Sequence, residues 1–325
     1  MTKRRFLAAG LAALTCVLPL SAARAADYPT KPVKIVVGYP PGGTTDLLAR
    51  LVGVQLQDGL KQSFVIENKP GAGGGIGADA VAKAPPDGYT LGLASAGNLA
   101  LNYASYPKIP YDSRKDFTAL SLLATMPNVL VVSNKMPAKN YTELIAYLKK
   151  KEKEGSFFAS TGAGNGPHLT GELFKARTGL NLSHVPYQGA GPAITAVLGG
   201  EVDLLFDNLP SVLPFIQSGK VRAIAVTSAA RVSVLPEVPT LREVGLKEFV
   251  VEAWFALVAP AGLDKGAREK IGKTISGLSS NEAFKESIRK LGATPKLTGE
   301  AELRALIEQE RERWPSLVKQ ANLKF

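Results

Sequence analysis

The chain has 325 residues, 45% of them apolar and 7% aromatic, with two histidines, one cysteine and a formal net charge of +11. That length can bury one or two cores, and a single cysteine excludes any disulfide or cysteine metal site within the chain. Four of the charges (Lys3, Arg4, Arg5, Arg24) fall in residues 1–25, leaving +7 on residues 26–325. This surplus is dispersed, without the basic and aromatic stripe that a nucleic-acid surface requires, so it favours anionic small molecules and no nucleic-acid partner.

Residues 1–25 read as a secretory signal: a basic start at Lys3-Arg4-Arg5, an apolar run from Phe6 to Leu20, and Ala23-Arg24-Ala25 as a small-x-small cleavage site. Cys16 lies inside it, so the exported chain carries no thiol, as suits an oxidising compartment. No later segment approaches the length of an apolar membrane span. The expected protein is therefore periplasmic after cleavage behind Ala25.

Short apolar strands then alternate with amphipathic helices, the pattern of α/β layers around mostly parallel sheets. Val33–Val37 reads as a strand leading into a helix carrying Leu47, Leu48, Leu51, Val52 and Leu56. Between them runs Gly38-Tyr39-Pro40-Pro41-Gly42-Gly43-Thr44-Thr45-Asp46. A helix N-terminus presents unpaired N–H groups and about +0.5 charge, and glycine lets an anion approach the backbone. This loop is a candidate carboxylate or phosphate cradle: Tyr39, Pro41, Gly42, Gly43 and Thr44 around the anion, with Asp46 orienting donors. A tight turn with a Thr cap is the plainer alternative.

Phe64–Glu67, a helix over about 76–83, and Tyr89–Leu93 complete a first α/β unit, with Ser95 in the loop that follows. Phe117–Ser133 is almost continuously apolar but is interrupted at Met126-Pro127. Proline fits poorly inside a central strand, so a crossing between lobes is placed there. In the second unit Tyr141–Lys150 is a helix, Phe157–Ala159 a strand and Leu169–Ala176 a helix. The loop between the last two, Ser160 to His168, has Gly162, Gly164 and Gly166 with Thr161 and Asn165, a second candidate anion loop. Leu182–Val185, the helix Ile194–Leu198, Val202–Phe206, the helix Val212–Gln217 and Val221–Val226 follow. Tyr187-Gln188-Gly189-Ala190 repeats the strand–loop–helix geometry, and Asp207 either faces the same cleft or caps the next helix. Phe249–Val258 is expected to return to the first lobe, and 264–320 to be helical.

The residues give little support to catalysis. Ser95 has no G-x-S-x-G context, and the histidines lack an acid partner at fixed spacing. His168 is a candidate ligand contact, structural on the plainer reading. Gly73-x-Gly75 misses the third glycine of a dinucleotide fingerprint, and Ala267 occupies the position where a P-loop ending in Lys273-Thr274 requires glycine. No catalytic residue, metal site or cofactor is assigned. Two other readings stay open: a secreted enzyme acting on a carboxylic acid, in which Asp46 and Asp207 meet across the cleft or His168 serves, and a module for phosphorylated ligands.

The segments Gly42-Gly43-x-x-Asp46, Glu67-Asn68-Lys69-Pro70-Gly71, Pro86-Asp87-Gly88-Tyr89, Pro186-Tyr187-Gln188-Gly189, Leu198-Gly199-Gly200-Glu201, Ser218-Gly219-Lys220 and Pro236-Glu237-Val238-Pro239 occur in one order along the chain. Together they resemble the Bug family, the periplasmic receptors of tripartite tricarboxylate transporters. The resemblance implies an α/β, two-lobed periplasmic binding protein (a type II-like Venus flytrap with two hinge crossings) that does not catalyse. Lobe 1 would comprise 26–124 and 252–325, and lobe 2 would comprise 125–251. It further implies a monomeric receptor that grips a small di-, tri- or aromatic carboxylate between the loops 39–46 and 160–168. Residues 187–191 and 207–208 would read the remainder, and delivery would be to membrane permease subunits or a sensor protein. Asn165 stands where relatives commonly have Ser or Thr, which puts that position's role in question.

Overall fold

The computed structural model describes residues 28–320; the export segment expected at 1–25 lies outside them. Strands β1 (Val33–Val37), β2 (Phe64–Asn68) and β3 (Thr90–Ser95) are parallel, with β1 central. Strand β9 (Glu252–Pro260) runs antiparallel to β3, and the long β4 (Phe117–Ser133) antiparallel to β9. A second sheet carries β5 (Ser156–Ser160), β6 (Leu182–Pro186) and β7 (Leu204–Asn208) in parallel. Here β4 pairs with β7 on one side and with β8 (Val221–Val226) on the other.

β4 therefore belongs to both sheets. Its residues up to Pro127 pair with β9, and from Asn128 onward they pair with β7 and β8. Pro127 interrupts neither half: it sits opposite Glu252, at the start of β9, where a missing N–H costs least. The sequence pattern placed a crossing here, and the strand continues through it. The chain recrosses where Val251, bonded to Thr227, gives way to Glu252.

Each sheet is covered on both faces. Helices α1 (Thr44–Leu60) and α8 (Lys265–Leu278) bury Leu48, Val52 and Leu56 with Ile271 and Ile275 in one apolar cluster. Helix α2 (Gly75–Ala82) and α10 (Glu300–Gln320) close the opposite face through Ala78, Val81, Leu303, Ile307 and Trp314. Between β3 and β4 the chain makes a π-helical turn, Gly97–Leu101, and one turn of α3 (Asn102–Ser105). In the second half α4 (Tyr141–Lys150) and α5 (Gly166–Thr178) lie on one side of the sheet. Helices α6 (Ala190–Gly199) and α7 (Leu209–Gln217) lie on the other. One expectation fails. The span 264–320 is not all helical: after α9 (Glu282–Lys290), Thr294–Thr298 forms β10, which adds to β4 antiparallel. Its short, Pro-containing, mostly polar sequence carries no period-2 signal.

Candidate functional site

The two sheets face each other across a cleft. Helices α1, α5, α6 and α7 all begin at this cleft, each following a strand that ends there, and Gly43, Thr44, Asn165, Gly166, Gly189, Ala190, Asp207 and Asn208 line it. Their starts differ from those of the outlying helices. Asn140 caps α4, Asp264 caps α8 and Asn281 caps α9, each through its side chain. At the cleft, Gly43, Gly189 and Asn208 make no side-chain cap. The first-turn amides of α1 are thus open to an outside acceptor. In α6 and α7, Pro192 and Pro210 each remove one first-turn N–H, and Asp207 stands at the start of α7. Only α5 is capped, by Asn165 Oδ1 accepting from His168 N at 3.1 Å, which still leaves Gly166 N.

Four helix N-termini converging on one space make a site for negative charge. Among the described residues lining the cleft there is no Lys, Arg or His. The attraction comes from backbone dipoles, from the Thr44 hydroxyl, which is buried without a partner, and from Thr45 and Thr161 beside it.

Asp46 shapes this site from behind. Its carboxylate accepts from Gly42 N at 3.0 Å, from Arg50 at 2.9 and 3.0 Å, and from Asn68 Nδ2 at 3.1 Å. Asn68 also donates to Tyr39 O at 3.0 Å. Burial alone would raise the Asp46 carboxyl, but Arg50, the Gly42 amide and Asn68 hold it below its ordinary range. Asp46 is thereby committed to the loop. It is absent from the cleft lining, so no Asp46–Asp207 pair faces the cleft.

Tyr39 and Ser95 both line the cleft and bond to each other at 3.0 Å, with the Tyr39 hydroxyl 2.9 Å from Gly73 O. Asp207 also lines the cleft and is 2% exposed. It accepts from Asn208 N and lies 2.7 Å from Ser211 Oγ, so it joins the first turn of α7 as well as facing the cleft. Burial pushes its carboxyl up to about 7.

Several expected contacts lie outside the lining: Pro41, Gly42, Gly162, Gly164, His168, Tyr187 and Gln188. Gly164 has φ +72, and a Cβ there would come 2.7 Å from Tyr106 Cε2 and 2.9 Å from Ser105 Oγ. Its glycine permits the close approach of Ser105 and Tyr106 from the other lobe. Gly189 is similar: φ is +101 and a Cβ would meet Pro40 Cγ at 2.9 Å. His168 is buried behind its loop, with Nδ1 accepting from Gly164 N at 2.9 Å and its ring stacked on His184 at 3.7 Å. The structure also brings in Asn128, Glu252, Phe255 and Trp314. The sequence reading missed both Asn128, whose only local signal is a polar residue directly after Met126-Pro127 in an apolar run, and Trp314, which comes from the distant C-terminal helix where nothing local marks it.

The model of the "Tripartite tricarboxylate transporter family receptor" family matches residues 48–323. The chain belongs to that family. As such a receptor it is a transport protein and not an enzyme. It is 39% identical to the protein BugT of Bordetella pertussis over 299 residues, 92% of this chain and 91% of that one. Among solved structures it is similar to R. palustris Rpa4515 with adipate, at 34% identity and a TM-score of 0.88, covering 91% of this chain and 99% of the other. It is also similar to MatC from Rhodopseudomonas palustris with bound malate, at 32% identity and a TM-score of 0.83, covering 90% and 100%. The two-lobed α/β binding-protein fold is thus shared. Receptors of this family are periplasmic, and no described helix of this one is long and apolar enough to cross a membrane.

Proposed function

We propose that this receptor captures a small organic carboxylate between its two lobes and presents it, closed, to the membrane permease subunits of a tripartite tricarboxylate transporter. The observation that carries the reading is the convergence of α1, α5, α6 and α7 on one cleft, three of them without a side-chain cap. The adipate and malate bound to the two structural relatives support it.

The ligand's carboxylate sits against the amides of Thr44, Thr45 and Gly166 and the hydroxyls of Thr44 and Thr161, with Tyr39, Ser95, Gly189 and Ala190 packing around it. Charge-assisted hydrogen bonds contribute about 1.5–3 kcal/mol each. A few of them, with buried ligand carbon, reach the roughly −8 kcal/mol of micromolar binding after association costs. The first lobe boundary, expected at 124/125, moves to between Pro127 and Asn128, where β4 leaves β9 for β7, and the second stays at 251/252, where β9 begins. Residues 1–25 direct export and are removed, and the mature receptor acts as a monomer.

Isothermal titration across a panel of mono-, di- and tricarboxylates tests this. At least one acid should bind with micromolar affinity and be recovered unchanged, whereas inorganic phosphate should not compete. Competition by phosphate, with no acid binding, would contradict the reading.

A further inference from the structure

One turn along α5 from the Gly166 amide, the cleft wall carries buried acceptors instead of donors. Asn128, 1% exposed, lines it where β4 enters the second sheet. Its Nδ2 lies 2.7 Å from Thr170 Oγ1, and the single hydroxyl hydrogen of Thr170 goes to Gly166 O at 2.9 Å. The hydroxyl can then only accept from Asn128, which fixes the amide with nitrogen toward Thr170. Oδ1 is left as a buried acceptor without a protein partner.

Its cross-strand neighbour in the β4–β7 register is Asn208, which also lines the cleft and whose Oδ1 is likewise buried and unpartnered. Beside them Asp207 adds a buried carboxyl, and no cationic side chain stands among the described lining residues. Buried acceptors of this kind are satisfied by donors. A small ligand gripped by one carboxylate at the Thr44 and Gly166 amides extends its other end to these acceptors. A second carboxylate there would set acceptor against acceptor.

We propose that Asn128 Oδ1 and Asn208 Oδ1 form a subsite for a hydrogen-bond donor at the ligand's far end, so that the receptor selects carboxylates bearing a hydroxyl or ammonium group over dicarboxylates of the same length. This rests on the carboxylate reading above and narrows it to a ligand class. The Thr44 and Gly166 amides supply donors to an anion, and the wall supplies acceptors to a donor, which orients the ligand one way round.

The test is isothermal titration of the full receptor at pH 7.5 with two matched sets, of four and of six carbons. Each set holds the plain monocarboxylate, its ω-hydroxy and ω-amino forms, and the dicarboxylate. In the set that fits, the hydroxy or amino acid should bind about tenfold more tightly than both the plain acid and the dicarboxylate. Asn128→Leu should remove most of the difference between the hydroxy or amino acid and the plain acid, weakening the former several-fold more than the latter. Asn208→Ala provides the same readout should the first variant fail to fold. A dicarboxylate that binds as tightly as its hydroxy and amino counterparts, or variants that weaken every acid equally, would overturn the subsite and leave the carboxylate reading standing. Binding of none of these acids would overturn both.

Discussion

The phenol of Tyr106 donates to the carbonyl of Ala163 at 2.8 Å, joining the end of α3 in one lobe to the anion loop of the other. One residue away, Ser105 Oγ bonds Gly164 O at 3.0 Å. These bonds cross the cleft, so they form only when the lobes meet. Tyr106→Phe removes one of them and leaves the ring. At about 0.5–1.5 kcal/mol per net hydrogen bond, ligand affinity should fall roughly two- to tenfold, chiefly through faster release. Stopped-flow release rates check this; an unaltered off-rate would show that the contact does not hold the closed form.

Gly164→Ala attacks the same contact from the other side. The added Cβ meets the Tyr106 ring at 2.7 Å, on a backbone at φ +72 that disfavours side chains. Binding should weaken by more than in Tyr106→Phe. Part of the loss should return in Gly164→Ala combined with Tyr106→Ala, where the ring is gone. Titration of the single and double variants gives the coupling, and simple additivity would place the glycine's importance elsewhere.

Asp46→Ala should weaken carboxylate binding about tenfold or more although Asp46 does not line the cleft, because the Gly42 amide and Asn68 lose the acceptor that shapes the loop. Asp46→Asn, retaining an acceptor, should lose less. Equal losses would mean that charge and not loop geometry is what matters.

His168 and His184 stack at 3.7 Å, and burial lowers both, to about 4 and about 3, with Lys175 adding to the first and His168 to the second. An unfolded imidazole titrates near 6.5. Between that value and about 4 the unfolded chain holds more protons, so the stability they confer is complete above pH 6.5 and is lost as pH falls. The limiting slope is about 1.4 kcal/mol per pH unit for each histidine. Protonated His168 Nδ1 would also no longer accept from Gly164 N, loosening the anion loop. Urea midpoints from pH 7 to 4 measure this, and His168→Asn should flatten the profile.

Asp207 acts in the opposite sense. Its carboxyl, raised by burial to about 7, favours the folded state when neutral. That stability is complete below the ordinary value near 4 and is lost as pH rises through about 7. Asp207→Asn should therefore be more stable than the wild type at pH 8.5, by on the order of 1–3 kcal/mol, with little gain at pH 4. Because the histidine and aspartate effects oppose each other between pH 4 and 6.5, the two variants separate them. An Asp207→Asn gain that does not change with pH would contradict the assignment.

The alternating α/β pattern was readable because each strand is a short apolar run and each cleft helix starts at a glycine or asparagine. β4 shows both the reach and the limit of such reading. Met126-Pro127 marked the change of sheet, but proline's missing N–H did not end the strand, since it falls where one partner is exchanged for another. β10 was invisible because Thr294–Thr298 adds at the margin of β4 and needs no alternating face. In the site, the loops around Gly43 and Asn165 were legible from helix-start chemistry. The roles of Gly164, Gly189 and His168 were not, because each depends on a neighbour distant in sequence: Tyr106, Pro40 and His184. Asn128 and Trp314 reach the cleft only through tertiary packing.

The most direct measurement is a crystal structure of the receptor with the tightest-binding acid from the titration panel. The account requires a carboxylate between the lobes, its oxygens about 2.7–3.1 Å from the amides of Thr44, Thr45 or Gly166, with no lysine or arginine touching it. A ligand outside that cleft, or a carboxylate neutralised by a cationic side chain, would contradict it.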